Sequence, residues 1–288
     1  MDQIILSGLT MGCIYALIAS GFILIYDAVG VVNFAQGDLV MLGSYIGVLG
    51  VEHLRIGVPL TILLVIVACA AIGYLFELIT YSSLKDRSIV PVLITTIGAG
   101  IILQNGIQAI AGPNPISIDP FFSVPILTVA GINLSTQNLA IIALTIILLV
   151  AQYWLFTRTS LGWKLRATAD DKYAARLSGI KVGRMIVTTF AISSAISGLA
   201  GFFLAPIFLA EPHMGFPLIV KAWIGIVIGG FGSVPGAIAG GLLVGLLDAL
   251  SASFISSDYK DVITMAILLL VLFWRPQGIF GEPTQEKL

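Results

Sequence analysis

Long apolar runs separated by short polar ones organise this chain. The runs fall at 4–26, 34–51, 59–81, 89–111, 138–156, 185–209, 218–231, 234–252 and 262–274. Most are long enough to cross a membrane as helices, given a rise of about 1.5 Å per residue and a hydrocarbon core of about 30 Å. The run at 218–231 is short and leads into Gly229-Gly230-Phe231-Gly232-Ser233-Val234-Pro235-Gly236, a composition that breaks helices. Half-length segments meeting at such a break mark sites near the bilayer midplane in many transporters. The pattern predicts an all-α fold: a polytopic helical membrane protein of about eight or nine membrane segments, some broken or short. It forms a single transmembrane domain over 1–288.

Composition sharpens this picture. The chain is 58% hydrophobic and 10% charged, where soluble domains carry about 25% charged residues. Spans leave no room for a large soluble domain in 288 residues. The N-terminus has an acid, no basic leader and no small-residue cleavage pattern, so the first run is expected as a retained span rather than a signal peptide. Cys13 and Cys69 fall inside apolar runs and offer neither a disulfide framework nor metal-ligand spacing. His53 and His213 stand alone at loop positions.

Charge sets orientation. Of the 14 Lys and Arg residues, half lie between Arg158 and Arg184, which places that loop in the cytoplasm. Lys85 and Arg87 mark a second cytoplasmic loop, and Arg275 and Lys287 put the C-terminus inside. The loop at 112–137 lacks basic residues and carries Pro113, Pro115, Pro120 and Pro125; it lies outside, as does 211–217. Counting back gives an outside N-terminus if 27–33 is a full cytoplasmic turn, and an inside one if it is a re-entrant break; the first is preferred. The segments 8–50 and 197–245 each hold a long helix, an interruption and a small-residue helix, the pattern of an inverted repeat.

The sequence has no credible catalytic set. It lacks a Gly-x-x-x-x-Gly-Lys-[Ser/Thr] phosphate loop, and no Cys/His cluster suggests a metal. Polar groups at membrane depth are the informative ones, because each costs several kcal/mol on insertion scales and faces a protein interior or a watery path. Asn33, Gln36 and Asp38 fall between two apolar runs. Gln36 and Asp38 are two apart and cannot share a helix face, which fits an opened or just-starting helix with free backbone groups. They are candidates for a substrate pathway, against the alternative that Asp38 merely lines the start of a span. Thr95, Thr96, Gln104 and Asn105 are pathway candidates in the fourth run. There Gln104, Asn105 and Gln108 form a polar strip that equally suits helix–helix hydrogen bonding. Lys221 is expected to snorkel outward with Glu211 as its partner, while Glu77 and Asp248 read as end-of-helix residues.

The basic loop at 158–184 is long for a connector. Its stretch 169–177 reads as one short helix. Asp170 and Asp171 stand at its positive end, Arg176 near its negative end and Gly179 is placed to stop it. Such a helix suits docking onto another protein; a loop that only sets topology and touches headgroups is the plainer reading.

Several segments together resemble a known family. They are Gly-Cys-Ile-Tyr-Ala-Leu-Ile-Ala at 12–19, Val-Asn-Phe-Ala-Gln-Gly-Asp at 32–38, Thr-Thr-Ile-Gly and Ile-Leu-Gln-Asn within 95–105, and Leu-Arg-Ala-Thr-Ala-Asp-Asp-Lys-Tyr-Ala-Ala-Arg-Leu-Ser-Gly-Ile at 165–180. Gly-Gly-Phe-Gly-Ser-Val-Pro-Gly-Ala at 229–237 and Phe-Trp-Arg-Pro-Gln-Gly-Ile-Phe-Gly at 273–281 complete the set. The chain resembles the LivH-type permeases of ABC importers for branched-chain amino acids and related solutes, over nearly its whole length. The resemblance implies a multi-pass protein of the bacterial inner membrane that moves solute by alternating access. Its implied partners are a second permease (LivM-like, or a second copy), two ABC ATPase subunits that hold the ATP and Mg, and a periplasmic solute-binding protein. It implies no cofactor in this chain, no enzymatic activity and no nucleic acid. The family's Glu-Ala-Ala…Gly docking element maps onto Tyr173-Ala174-Ala175…Gly179, with Tyr173 where Glu is frequent. The coupling segment then comprises Asp170, Asp171, Tyr173, Ala174, Ala175, Arg176 and Gly179. Gln36 and Asp38 stand where His and Glu are usual, which suggests a different solute. Three alternatives stay open: an ABC permease for urea, short amides or aromatic acids; an ion-coupled secondary transporter; and a passive channel.

Overall fold

The computed structural model describes residues 1–84, 88–121, 126–129 and 132–280. The expected loop at Lys85 and Arg87, together with Pro125 and Lys287, lies outside the described residues. The helices are α1 (Asp2–Val29), α2 (Gln36–Val48), α3 (Val58–Glu77), α4 (Ile89–Ala111), α5 (Thr136–Arg158), α6 (Ser160–Asp170), α7 (Lys172–Leu177), α8 (Val182–Leu204), α9 (Gly215–Gly229), α10 (Val234–Phe254) and α11 (Lys260–Trp274). α2 and α3 each widen into a π turn, Leu49–His53 and Leu78–Ser82. A short antiparallel hairpin, β1 (Ile126–Val129) and β2 (Ile132–Ser135), joins the fold between α4 and α5. This hairpin and an isolated antiparallel bridge between Ile116 and Ala210 are additions to the predicted all-α plan. Among these residues, 6 helices are long and apolar enough to cross a membrane, with α9 a shorter apolar helix.

Local chemistry explains the helix ends. Gly30 takes a left-handed conformation (φ 76°), and its N–H donates to the Tyr26 carbonyl at 2.7 Å, which closes α1. The Gly/Pro stretch breaks the chain between α9 and α10 as predicted. Ser233 Oγ accepts from the Gly236 N–H at 3.2 Å, and Pro235 occupies the first turn of α10.

Packing depends on close backbone approach, because lipid tails satisfy apolar side chains as well as a protein core does. α1 and α10 run antiparallel through Gly8 against Ala249, Gly12 against Leu242, and Gly241 against Ala16. A Cβ on Gly245 would lie 2.1 Å from the Gly12 nitrogen. α8 is flanked by α2, which runs parallel to it (Gln36 on Ser193, Gly47 on Phe202), and by α3, which runs antiparallel (Cys69 on Gly198, Gly73 on Ser194). Within its most apolar stretch α1 is 89% buried, against 17% for α4 and for α5, so the first is central and the other two are peripheral.

The molecule has two faces. α1 ends beside α7, where Lys172 Nζ donates to the Val29 carbonyl at 3.3 Å. The α9–α10 turn lies at the same face, with the rings of Phe231 and Tyr26 edge-on at 4.7 Å. So does the segment after α11: the N–H groups of Ile279 and Phe280 donate to the carbonyls of Ile228 and Gly229 at 2.8 Å. Asp2, at the far end of α1, belongs to the opposite face. After α1 the chain turns back inward. Gln36, at the start of α2, sits level with Gly21 and with Ser193 of α8. Those residues lie about 12 Å and about 17 Å inside the ends of their helices, at 1.5 Å per residue. α2 therefore begins within the apolar slab, which irregular backbone tolerates only when buried in protein.

Candidate functional site

The start of α2 gathers the first polar patch. Asn33 Oδ1 accepts from the Ala35 N–H at 3.1 Å, and Asn33 Nδ2 donates to Gln36 Oε1 at 3.4 Å. Gln36 Nε2 donates to Ser193 Oγ at 2.9 Å and to Ser197 Oγ, and Ser193 Oγ donates to the Gly21 carbonyl at 2.6 Å. Asp38 lies in the first turn of α2, where an acid suits the positive helix end. Its Oδ1 accepts from Gln104 Nε2 at 2.7 Å. Gly100 makes that approach possible, since a Cβ there would sit 2.2 Å from the second carboxylate oxygen. Asn33, Gln36 and Asp38 are all buried.

The four candidates on α4 divide. Only Gln104 reaches across to another helix. Thr95 and Thr96 donate to Pro91 and Leu93 carbonyls of their own helix, each at 2.8 Å. Asn105 is exposed and donates to the Ile101 carbonyl at 2.8 Å. Thr96 and Asn33 line a crevice of about 10 Å³ with Val92 and Phe190, room for about one water.

A second polar cluster joins residues that the sequence kept apart. Lys221 does not pair with Glu211; it lies 2.7 Å from Asp248 Oδ1 and 2.7 Å from Asp261 Oδ1. Snorkelling is unnecessary because two carboxylates meet the ammonium inside the fold. Thr264 Oγ1 donates to Asp248 Oδ1 at 2.6 Å, and Tyr15 OH donates to Asp248 Oδ2 at 3.3 Å. The cluster thus ties α1, α9, α10 and α11 together. It lines a cavity of about 700 Å³ that also includes Thr10, Met214 and Lys260. A larger cavity, about 970 Å³, lies at the α6–α7 face and is lined by Asp27, Gln152, Arg166 and Asp170. The signal for the second cluster was three charges in apolar helices, legible only as isolated residues. Among the described residues no group of three or more His, Cys, Asp or Glu is placed to hold a metal.

The basic loop folds as two helices, not the single one expected at 169–177. Asp170 closes α6, and Asp171 has extended backbone. Its Oδ1 accepts from the N–H groups of Tyr173 (2.7 Å) and Ala174 (3.0 Å), so Asp171 caps α7. Those two donors hold its carboxyl below the ordinary range. Gly179 ends α7 as predicted: its φ is 79°, its N–H donates to the Arg176 carbonyl, and the Ile180 N–H donates to the Ala175 carbonyl, both at 3.0 Å. Ala175 seats in an apolar cluster with Val29, Val182, Ile186 and Phe190. Tyr173 and Leu177 point away from the protein, 70% and 74% exposed, and Ala174, Arg176 and Gly179 are exposed with them. Burial against α1, with Arg176 nearby, lowers the pKa of Lys172.

Apolar helices long enough to span, a helix that starts inside the slab and a polar helix pair bracing one face define a polytopic membrane permease. Residues 4–272 match the family described as "Branched-chain amino acid transport system / permease component", and the chain belongs to that family. It is 35% identical to the high-affinity branched-chain amino acid transport system permease protein LivH of Salmonella typhimurium, over 99% of this chain and 97% of that protein. It is 34% identical to BraD of Pseudomonas aeruginosa over the same shares, 99% and 97%. LivM of Escherichia coli is 25% identical over 94% of this chain and 68% of its own length. No solved structure gives a significant match.

Proposed function

We propose that this chain is the non-catalytic permease subunit of an ATP-driven importer for branched-chain amino acids or a closely related small solute. It works by alternating access in the bacterial inner membrane. A second permease, LivM-like or another copy, completes the passage; two ATPase subunits supply the stroke, and a periplasmic binding protein delivers the solute. The α6–α7 face is cytoplasmic, because half the basic residues lie there. The N-terminus is then periplasmic and the C-terminus cytoplasmic.

The observation that carries this reading is the seating of α7. One side of it, at Ala175 and Lys172, is fixed to the ends of α1 and α8, while Tyr173 and Leu177 are turned outward. A short helix held from behind and bare in front suits a docking element for a moving partner. Asp170, Asp171, Tyr173, Ala174, Ala175, Arg176 and Gly179 form this element. Asn33, Gln36, Asp38, Thr95, Thr96, Gln104 and Asn105 are assigned to the solute pathway, with Gln36 and Asp38 at its centre. The Gln36 side chain links α2 to α8 and the Asp38–Gln104 bond links α2 to the peripheral α4, so a shift of α2 would open the closed crevice.

The test is native purification with the neighbouring gene products, followed by leucine uptake in vesicles. The ATPase should co-purify and uptake should need ATP. Tyr173→Asp with Leu177→Asp should keep the membrane fold and lose both ATPase and uptake by about tenfold, the loss of contacts worth about 1.4 kcal/mol. Full-rate uptake by this polypeptide alone, without nucleotide, would favour a secondary transporter or channel.

A further inference from the structure

The Lys221 cluster has features that a helix staple does not need. One ammonium faces two carboxylates, at 2.7 Å each. Asp248 and Lys221 side chains are 11% exposed, but that of Asp261 is 66% exposed at a cavity of about 700 Å³. A lysine carries three N–H donors, and two are taken here, so one is left for an incoming acceptor. Asp261, open to the cavity, has acceptor capacity to spare. Much of the remaining wall is apolar, with Met11, Leu204, Phe208, Leu218, Ile224 and Met265, while Thr10, Asn138, Glu211 and Lys260 line other parts of it. Its size is in the range of ordinary small-ligand sites, roughly 300–1,000 Å³. Buried ion pairs gain little stability over apolar packing, and ionisable groups kept at membrane depth mark function.

We propose that Lys221, Asp248 and Asp261 form a binding site for the charged end of a zwitterionic amino acid. The α-carboxylate takes the free donor of Lys221 and the α-ammonium takes Asp261, with Asp248 and its Tyr15 and Thr264 partners holding Lys221 in place. The ligand is neutral overall, so binding adds no net charge to the site, and its aliphatic side chain lies on the apolar wall. This assignment rests on the amino-acid permease reading and names a site for it on the face opposite α6–α7.

The experiment uses the complete complex in nanodiscs, without the binding protein, and measures radiolabelled leucine binding. The competitors are 4-methylpentanoate, which lacks the ammonium, and isopentylamine, which lacks the carboxylate. Unlabelled leucine should compete; neither half-ligand should at ten times its concentration. Asp261→Asn should weaken binding about tenfold, the scale of a lost hydrogen bond to a charged group. The same variant should leave the thermal stability of the complex near wild type, since that side chain is largely exposed and Asp248 still holds Lys221, so a loss of binding is not a loss of fold. Wild-type affinity in Asp261→Asn would overturn the site and leave the permease reading standing. No leucine binding by wild type would also overturn it; ATP-driven leucine uptake with the binding protein added shows whether the permease reading fails as well.

Discussion

The Gln36 patch and the Lys221 cluster both bury polar groups among apolar helices, but one is mostly neutral and the other ionic. Gln36 works as an amide that donates and accepts at once, so it closes a network of Asn33, Ser193 and Ser197 without charge. The Lys221 cluster sets one ammonium against two carboxylates, contributed by three different helices. A neutral network degrades by steps when one member goes. An ionic one leaves an uncompensated charge behind, and the cost is far steeper. The first patch fits a place that moves, and the second a place that must keep its composition.

The contrast breaks most sharply with Lys221→Met. Asp248 is then buried without its cation, a loss of about 3–5 kcal/mol. The detergent-solubilised complex should show a strongly lowered thermal unfolding midpoint, restored in part by adding Asp248→Asn. An unchanged midpoint would place the cluster's carboxylates in water rather than in the fold. Gln36→Leu comes next. It strips Ser193 and Ser197 of a donor and should lower the midpoint by the equivalent of about 1–3 kcal/mol, less than Lys221→Met; equal losses would erase the distinction. Asp38→Asn is milder still for stability, within about 1 kcal/mol, since Asn Oδ1 can still accept from Gln104. Leucine uptake should nevertheless fall or change selectivity; an unaltered rate and selectivity would return Asp38 to packing. Asp171→Ala has the smallest global effect. It removes the cap of α7, so hydrogen exchange at Tyr173 and Ala174 should rise while exchange in α8 stays unchanged. The Asp171 carboxyl is held below its unfolded pKa, so its capping contribution is present above that unfolded value. The contribution is lost as pH falls through the lower folded value. Protection of the α7 amides, with exchange corrected for its intrinsic pH dependence, should therefore be flat from neutral to mildly acidic pH and fall only below.

The same two patches explain what the sequence made visible. Asn33, Gln36 and Asp38 stand close together between apolar runs, so local inspection found them and the helix that starts at Gln36. The interruption at 229–236 was equally plain, because Gly and Pro act on their own neighbours. α4 matches its predicted run, 89–111, at both ends. Lys221 and Asp248 lie 27 positions apart, with Asp261 on the next helix. Only the packing of α9, α10 and α11 brings them together. Asp170 and Asp171 misled for a different reason: an acid at a helix start and an acid at the end of the preceding helix look alike in sequence. The backbone of Asp171 separates the two, and no composition rule reports it.

The glycine contacts between α1 and α10 have a mechanical consequence. With Gly12 and Gly245 backbones touching, neither helix can slide along the other without collision. α1 spans 28 residues, about 42 Å end to end. One tip rests on Lys172, and its shank carries Tyr15 against Asp248. Gripped along their glycines, the two helices form one stiff beam with α7 at its near tip and Asp248 on its shank, so any tilt of one is a tilt of both.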